Sequence, residues 1–269
     1  MQNKTFILLI MLFLSVCHAA PVALIERAVG EIYGGGFFEL ALSSRGLSHD
    51  LYGTYSNAMG LQTLYNNLSQ YSLVIFATNA GKNSTIDSIV SNSANQLALR
   101  NYLYNGGNIF MNVYNDGGAG ANFLNLPGLS FSGADNTGNP YTVVNDDPIF
   151  HNMHEVLYQV QRVNSWEAIS AFPTAATDIK VHLASGSYYT AVSFKWGAGR
   201  VFFMGQPVDS DHPQPWPGLE DIYGTTIATN FVENIYTELS GAVPEASSLV
   251  LIALGLGCIF FNNRSFKRR

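Results

Sequence analysis

Short apolar runs recur along the chain, with helix-period segments between them. Leu73-Val74-Ile75-Phe76-Ala77 is bounded by Tyr71-Ser72 and by Asn79-Ala80-Gly81, which predicts a buried strand ending in a turn. Ile86 to Asn105 follows as a helix: Leu97, Leu99, Tyr102 and Leu103 fall near helical spacing, and Gly106-Gly107 provides a stop. Asn108 to Tyr114 is the next strand, and Asn115-Asp116-Gly117-Gly118-Ala119-Gly120 is a sharp loop after it. Upstream, Gly34-Gly35-Gly36 precedes a helical Phe37 to Ser44, Leu47 to Tyr52 is a short strand, and Met59 to Leu68 is a helix. Downstream, Asn122 to Asn145 is rich in Gly, Asn and Pro and predicts a long surface excursion. Asp146-Asp147-Pro148-Ile149-Phe150 is expected to be a turn. Ile179 to Ala184, Tyr188 to Lys195 and Arg200 to Gly205 are successive strands, the last two joined tightly through Trp196-Gly197-Ala198-Gly199. Thr225 to Leu239 closes the body as an amphipathic helix, with Ile227, Phe231, Ile235 and Leu239 at steps of four. Strand–helix alternation in the first half predicts a parallel sheet with flanking helices, and the hairpins of the second half predict an antiparallel extension.

The two ends carry a different pattern. Residues 1–20 are expected to be a signal peptide, with Lys4 in a thin basic start, an apolar run from Phe6 to Val16, and small residues at Ala19 and Ala20 for cleavage. The run is too short for a spanning helix. Leu14-Ser15-Val16-Cys17 is a poor lipoprotein box, because Val16 occupies a position that needs a small residue. At the other end, residues 243–248 (Val243-Pro244-Glu245-Ala246-Ser247-Ser248) precede an apolar helix over 247–261 and a basic end at 264–269. Such an order has the physics of a stop-transfer anchor, in which terminal cations resist translocation. Counted from Ala246, the span to Phe261 is 16 residues, short for a permanent anchor. The arrangement resembles the PEP-CTERM sorting signal, with Ala246 standing where that family has a second proline. The resemblance implies export through signal peptidase and Sec-type machinery. It further implies recognition by an exosortase-like membrane protease, an inner-membrane anchored stage, and delivery to the cell surface or extracellular matrix.

Composition narrows the body, residues 21–242. Removing Lys4 and the four tail cations from 13 basic residues, and Glu245 from 19 acidic ones, leaves a net charge near −10 on the body. A domain this acidic is not expected to bind nucleic acid. Both cysteines, Cys17 and Cys258, lie in the end segments, so the body has no disulfide, no thiolate metal site and no cysteine nucleophile. Only 12% of residues are charged, a polar but weakly charged composition that suits an envelope or extracellular protein.

The body also resembles a known fold family. The run Leu73 to Ala77, the helix ending Leu99-Arg100-Asn101-Tyr102-Leu103-Tyr104-Asn105-Gly106-Gly107, the Asp-Asp-Pro-Ile-Phe segment and Gly197-Ala198-Gly199-Arg200-Val201-Phe202-Phe203-Met204-Gly205 come in the order seen in class I glutamine amidotransferase-like proteins. The style is that of the trehalose-utilisation-like (ThuA-like) branch. The resemblance implies a flavodoxin-like, mostly parallel α/β sheet with flanking helices and an antiparallel extension, over roughly residues 22–240. In that family a cysteine nucleophile sits at the elbow after the strand following the Gly-Gly turn. Here the stretch reads Met111-Asn112-Val113-Tyr114-Asn115-Asp116, with neither cysteine nor serine, so glutaminase chemistry is excluded.

Ligands of parallel α/β sheets sit beyond the C-terminal strand ends. The candidate ligand-binding residues there are Thr78 and Asn79, then Asn112, Tyr114, Asn115 and Asp116. Asp209, Asp211 and His212 are the candidate acid/base or metal-ligating set, although a loop capped by its own aspartates has the same composition. His151 and His154 have metal-like spacing, which surface histidines after a turn share. Trp216, in a loop with three prolines, is a candidate sugar-stacking platform, with Tyr188, Tyr189 and Trp196 as further candidates or as ordinary packing residues. The glycine-rich loop 117–120 lacks a phosphate-binding fingerprint, and no cofactor is expected. The leading expectation is an exported, non-catalytic, carbohydrate-binding protein of the cell surface or exopolysaccharide. The alternatives are a glycan- or sugar-derivative-acting hydrolase using Asp209, Asp211 and His212, and a purely structural matrix protein.

Overall fold

A computed structural model of the chain describes residues 22–26, 36–52, 58–77, 88–112, 123–133, 142–145, 147–151, 167–206, 208, 219–220 and 224–241. The elements in order are β1 (Val22–Ile25), α1 (Phe37–Ser44), β2 (His49–Tyr52), α2 (Ala58–Asn67) with a 3-10 turn (Leu68–Gln70), β3 (Leu73–Phe76), α3 (Ser93–Tyr104) and β4 (Asn108–Met111). They continue with β5 (Ser130–Gly133), β6 (Thr142–Val143), α4 (Pro148–His151), β7 (Glu167–Ala171), β8 (Thr177–Ser185), β9 (Tyr188–Trp196), β10 (Gly199–Met204) and α5 (Thr225–Ser240).

The ten strands among the described residues form one sheet, ordered β2-β1-β3-β4-β10-β9-β7-β5, with β8 also on β9 and β6 on β8. β2, β1, β3, β4 and β10 pair in parallel, and every pairing beyond β10 is antiparallel. Counting only the parallel strands, the order is 2-1-3-4-5, that of flavodoxin-like sheets. The chain is therefore α/β with a mixed sheet, as the hydrophobic pattern predicts.

Alternation along each parallel strand divides the core. Val22, Leu24, Leu73, Ile75, Phe110, Phe202 and Met204 face one side, under α1, α4 and α5. Ala23, Ile25, Val74, Phe76, Ile109, Met111, Val201 and Phe203 face the other, under α2 and α3. Such strands are buried on both faces, which is why they read as unbroken apolar runs. On the first face Phe110 stacks on Phe202 with centroids 5.9 Å apart. On the second, Gln62 of α2 and Asn95 of α3 exchange amide hydrogen bonds of 3.0 and 3.1 Å. Asn108 ties three elements together: its side-chain Oδ1 accepts from Arg200 N at 2.9 Å and its Nδ2 donates to Leu239 O at 2.7 Å.

Three expected features differ. The helix expected from Ile86 is α3, whose N-cap is Asn92, accepting from Ala94 N at 2.9 Å; the cap sets the helix start later than periodicity alone suggests. The turn expected at 146–150 contains the one-turn helix α4, because Asp147 accepts from Ile149 N at 3.1 Å and Pro148 takes the first helical position. The excursion expected over 122–145 is not all surface. Phe123, Leu124 and Leu126 are buried in the second core, Ser130–Gly133 pairs with β7, and Thr142–Val143 pairs with β8. Its Gly, Asn and Pro content concealed three core side chains between turns.

Glu167 opens β7 fully buried, and burial pushes its carboxyl from 4.5 up to about 8. The folded state therefore holds this proton more tightly than the unfolded chain does. Its stabilising effect is complete below pH 4.5 and is lost as pH rises through about 8. Melting temperature is expected to fall across that window, and Glu167→Gln to flatten the fall. An unchanged pH profile in the variant would count against a protonated Glu167.

Candidate functional site

The crevice expected of this sheet lies at the C-terminal ends of β1, β3, β4 and β10, where Glu26, Ala77, Asn112 and Gln206 follow the strands. Strand order reverses between β1 and β3, the position where flavodoxin-like sheets receive ligands. Glu26, 1% exposed, fills part of that position. Its two carboxylate oxygens accept from Phe38 N at 2.9 Å and Glu39 N at 2.8 Å. The chain's own carboxylate thus satisfies the amino-terminal donors of α1, where a phosphate would otherwise be favoured.

Asn112 stands immediately after β4. Its amide nitrogen donates to Met204 O at 2.8 Å and to Gln206 O at 2.6 Å, so it is committed to holding the ends of β4 and β10 together. Gln206, fully buried, donates from Nε2 to Thr190 Oγ1 at 2.8 Å, and its Oε1 has no hydrogen-bond partner among the described residues. An acceptor left open at this edge suits a ligand donor or a bound water. Of the sequence-predicted set, Asn112 lies in this crevice. Asn79, Tyr114, Asn115, Asp116, Asp209, Asp211, His212 and Trp216 lie outside the described residues, as does the segment 243–269 with Val243, Pro244, Glu245 and Ala246. Tyr189 stacks on Phe172, with centroids 5.7 Å apart, and packs with Trp196 against the second core, whereas Tyr188 is 40% exposed. Among the described residues no group of His, Cys, Asp or Glu is placed to hold a metal, and no helix is long and apolar enough to cross a membrane.

No family model and no curated relative matches the chain. Among solved structures, a cytoplasmic protein from Salmonella typhimurium superposes with a TM-score of 0.52 at 12% identity, over 81% of this chain and 98% of that one. A beta-galactosidase from Rahnella sp. R3 gives 0.46 at 11% identity, over 82% of this chain and 31% of that one. A glutamine amidotransferase from Thermotoga maritima gives 0.41 at 14% identity, over 84% and 95%. At such identities the likeness is one of fold, and only the first superposes well enough to bear on it. The strand order carries the fold assignment independently.

A second polar cluster lies away from the crevice, on the antiparallel side, and composition gave no sign of it. Arg200 of β10 forms an ion pair with Asp147, 3% exposed. His182 of β8, fully buried, stacks on Phe202 with centroids 5.2 Å apart. Its Nδ1 lies 3.3 Å from Asn145 O, and its Nε2 lies 3.0 Å from Ser193 Oγ. A carbonyl can only accept, so Nδ1 carries the proton and Nε2 accepts from the Ser193 hydroxyl. Burial holds the imidazole below its ordinary pKa, against the opposing pull of Asp147, whose Oδ2 is 3.7 Å from Nε2.

The Ser193–His182 pair has the spacing of a nucleophile and its base. Its surroundings do not support that role. Ser193 is 2% exposed and sits in the middle of β9, paired with Lys180 on one side and Phe202 on the other. Backbone donors of a strand paired on both edges are taken by the ladder and cannot stabilise an oxyanion. The cluster is a brace joining α4, β8, β9 and β10 over a cavity of about 310 Å³. Sequence offers one sign of it: Asp147 before Pro148 has the order of a helix cap followed by the first helical position.

Proposed function

We propose that this chain is an exported envelope protein, delivered by its carboxy-terminal sorting segment, whose body binds carbohydrate and performs no glutaminase chemistry. The observation that carries the non-glutaminase part is the state of Asn112. In the stretch where the amidotransferase-like family places its nucleophile, this residue is buried and its amide nitrogen spans two strand-end carbonyls. The filled α1 terminus supports a ligand without phosphate, since Glu26 would repel one. Export rests on the residue order of the two ends: an apolar run over 6–16, then Pro244-Glu245, an apolar segment and four terminal cations.

Delivery is tested in a bacterium that carries an exosortase, by following the full chain in the wild type and in a strain lacking that protease. The deletion strain is expected to retain a longer, membrane-bound form. Unchanged size and location there would refute sorting. The carbohydrate part is tested by pull-down of the chain on polysaccharides, including those of the producing cell; failure to bind any of them would remove it.

A further inference from the structure

The cavity of about 310 Å³ beside the His182 brace is walled by Lys180, Lys195 and Arg200, with Asp147 and Ser193 at its floor and Asp178 at its rim. Three of the eight basic residues of the body thus meet at one place in a domain whose net charge is near −10.

Strand register brings them together. Lys180 lies opposite Ser193 and Arg200 opposite Lys195, while Ser193 and Lys195 are two positions apart on β9. All three cations therefore stand on one face of three adjacent strands. Lys180 reaches that face through a bulge. Thr177 pairs with Lys195 and Lys180 with Ser193, three steps along β8 against two along β9. A regular ladder would put Ile179 opposite Ser193 and turn Lys180 to the other face. Asp178, inside the bulge, has a φ of +51°, a left-handed backbone that favours glycine. Ile179 is left 42% exposed, so burial does not account for the bulge: the residue turned outward is the apolar one. Lys195 directly opposite Arg200 is a like-charge pair, which opposes folding. Bulges and left-handed residues that the core does not need are found where a side chain is re-aimed for function.

The cations are reachable and only partly used. Lys180 is exposed and forms no ion pair among the described residues. Lys195 holds Asp178 at 3.3 Å, an exposed pair that opens at little cost. Arg200 is half-buried, its Cζ 5.8 Å from the centroid of the Phe202 ring, and only its Nη2 is given to Asp147. Its Nε and Nη1 make no hydrogen bond to protein among the described residues. Asp147 and Ser193 are buried and committed to Ile149 N and to His182, so the contact groups are the three cations above them. Three cations and two carboxylates leave one positive charge in the wall.

We infer that this cavity binds the carboxylate of a singly charged acidic sugar, a uronate unit, through Lys180, Lys195 and the open side of the Arg200 guanidinium. The residual charge matches a monoanion rather than a phosphate dianion, and a planar guanidinium fork matches a planar carboxylate. The volume lies at the small end of ligand sites, the scale of a single sugar unit. Salt screens the rest of the acidic body over about 8 Å, so the local cations decide what binds here. The inference rests on the carbohydrate part of the proposed function and names its ligand class.

The test is titration of the full chain, in detergent, with glucuronate and galacturonate, read by calorimetry and by saturation-transfer NMR, with glucose, acetate and glucose 6-phosphate as controls. At least one uronate is expected to bind, and glucose, acetate and glucose 6-phosphate each about five-fold more weakly or worse. Uronate affinity is expected to fall as sodium chloride rises. Lys180→Gln and Lys195→Gln are each expected to weaken uronate binding about five-fold or more, with melting temperature within about 2 °C of the parent, since both side chains are exposed. Uronate binding that both variants leave intact would overturn this site while leaving the carbohydrate reading standing. So would binding of neutral polysaccharides with no uronate binding, or control ligands that bind as tightly as the uronates. Failure of every sugar and every polysaccharide to bind would overturn both.

Discussion

Gly199→Ala is expected to lower the melting temperature by about 10 °C, the loss of roughly 3 kcal/mol or more in a domain of this size. The cause is backbone against backbone. A Cβ at this position would stand 2.1 Å from Gly107 O and 2.4 Å from Leu103 O. Neither atom belongs to a side chain that can swing away, so either the β9–β10 hairpin or the end of α3 must move. The hairpin is held against that helix end by a hydrogen bond from Ala198 N to Tyr104 O at 3.1 Å, which shifting would break. Gly186→Ala provides the comparison. Gly186 has a φ of +58°, but nothing lies within 4 Å of its added Cβ, so only the left-handed backbone cost of about 1 kcal/mol applies. Thermal unfolding followed by circular dichroism separates the two. Equal losses in both variants would mean that the hairpin does not press on α3 as described.

Asp147→Ala is expected to cost about 2–3 kcal/mol, because it leaves the partly buried Arg200 guanidinium without its partner and removes a helix cap. Three contacts go at once: the Arg200 guanidinium loses its partner, Ile149 N loses its cap, and the carboxylate 3.7 Å from His182 disappears. Arg200→Met tests the coupling. The double variant Asp147→Ala/Arg200→Met is expected to be more stable than the sum of the single losses implies, since the pair's desolvation penalty disappears with it. Strict additivity in chemical denaturation would show that the two side chains stabilise the fold independently.

The parallel half of the sheet was legible because its strands are buried on both faces. Nothing polar interrupts Val22–Ile25 or Leu73–Phe76, and α1 and α3 stop just before Gly46 and Gly106. The antiparallel side was legible only as hairpins. Which strands they join, and that β5 and β6 arise from a segment rich in turn residues, depends on Phe123, Leu124 and Leu126 reaching the core, which local pattern does not encode. The site was less legible still. His182 and Ser193 read as interruptions of two strands; they meet diagonally, because Ser193 pairs with Lys180, two positions before His182. The residues that sequence favoured, by contrast, come mostly from stretches outside the described residues whose Asp, Asn and Gly suit turns as readily as ligands.

The place of β10 has a temporal consequence. It is the strand on which the parallel and antiparallel halves meet, pairing Val201 with Ile109 on one side and with Phe194 on the other. The second contact spans seven positions and the first spans 92, so the hairpin closes locally while the join to β4 closes a long loop. Until the chain has been made through Met204, the outer edge of β4 has no strand to receive it. An unfinished or truncated chain therefore exposes a flat apolar edge of the kind that seeds self-association.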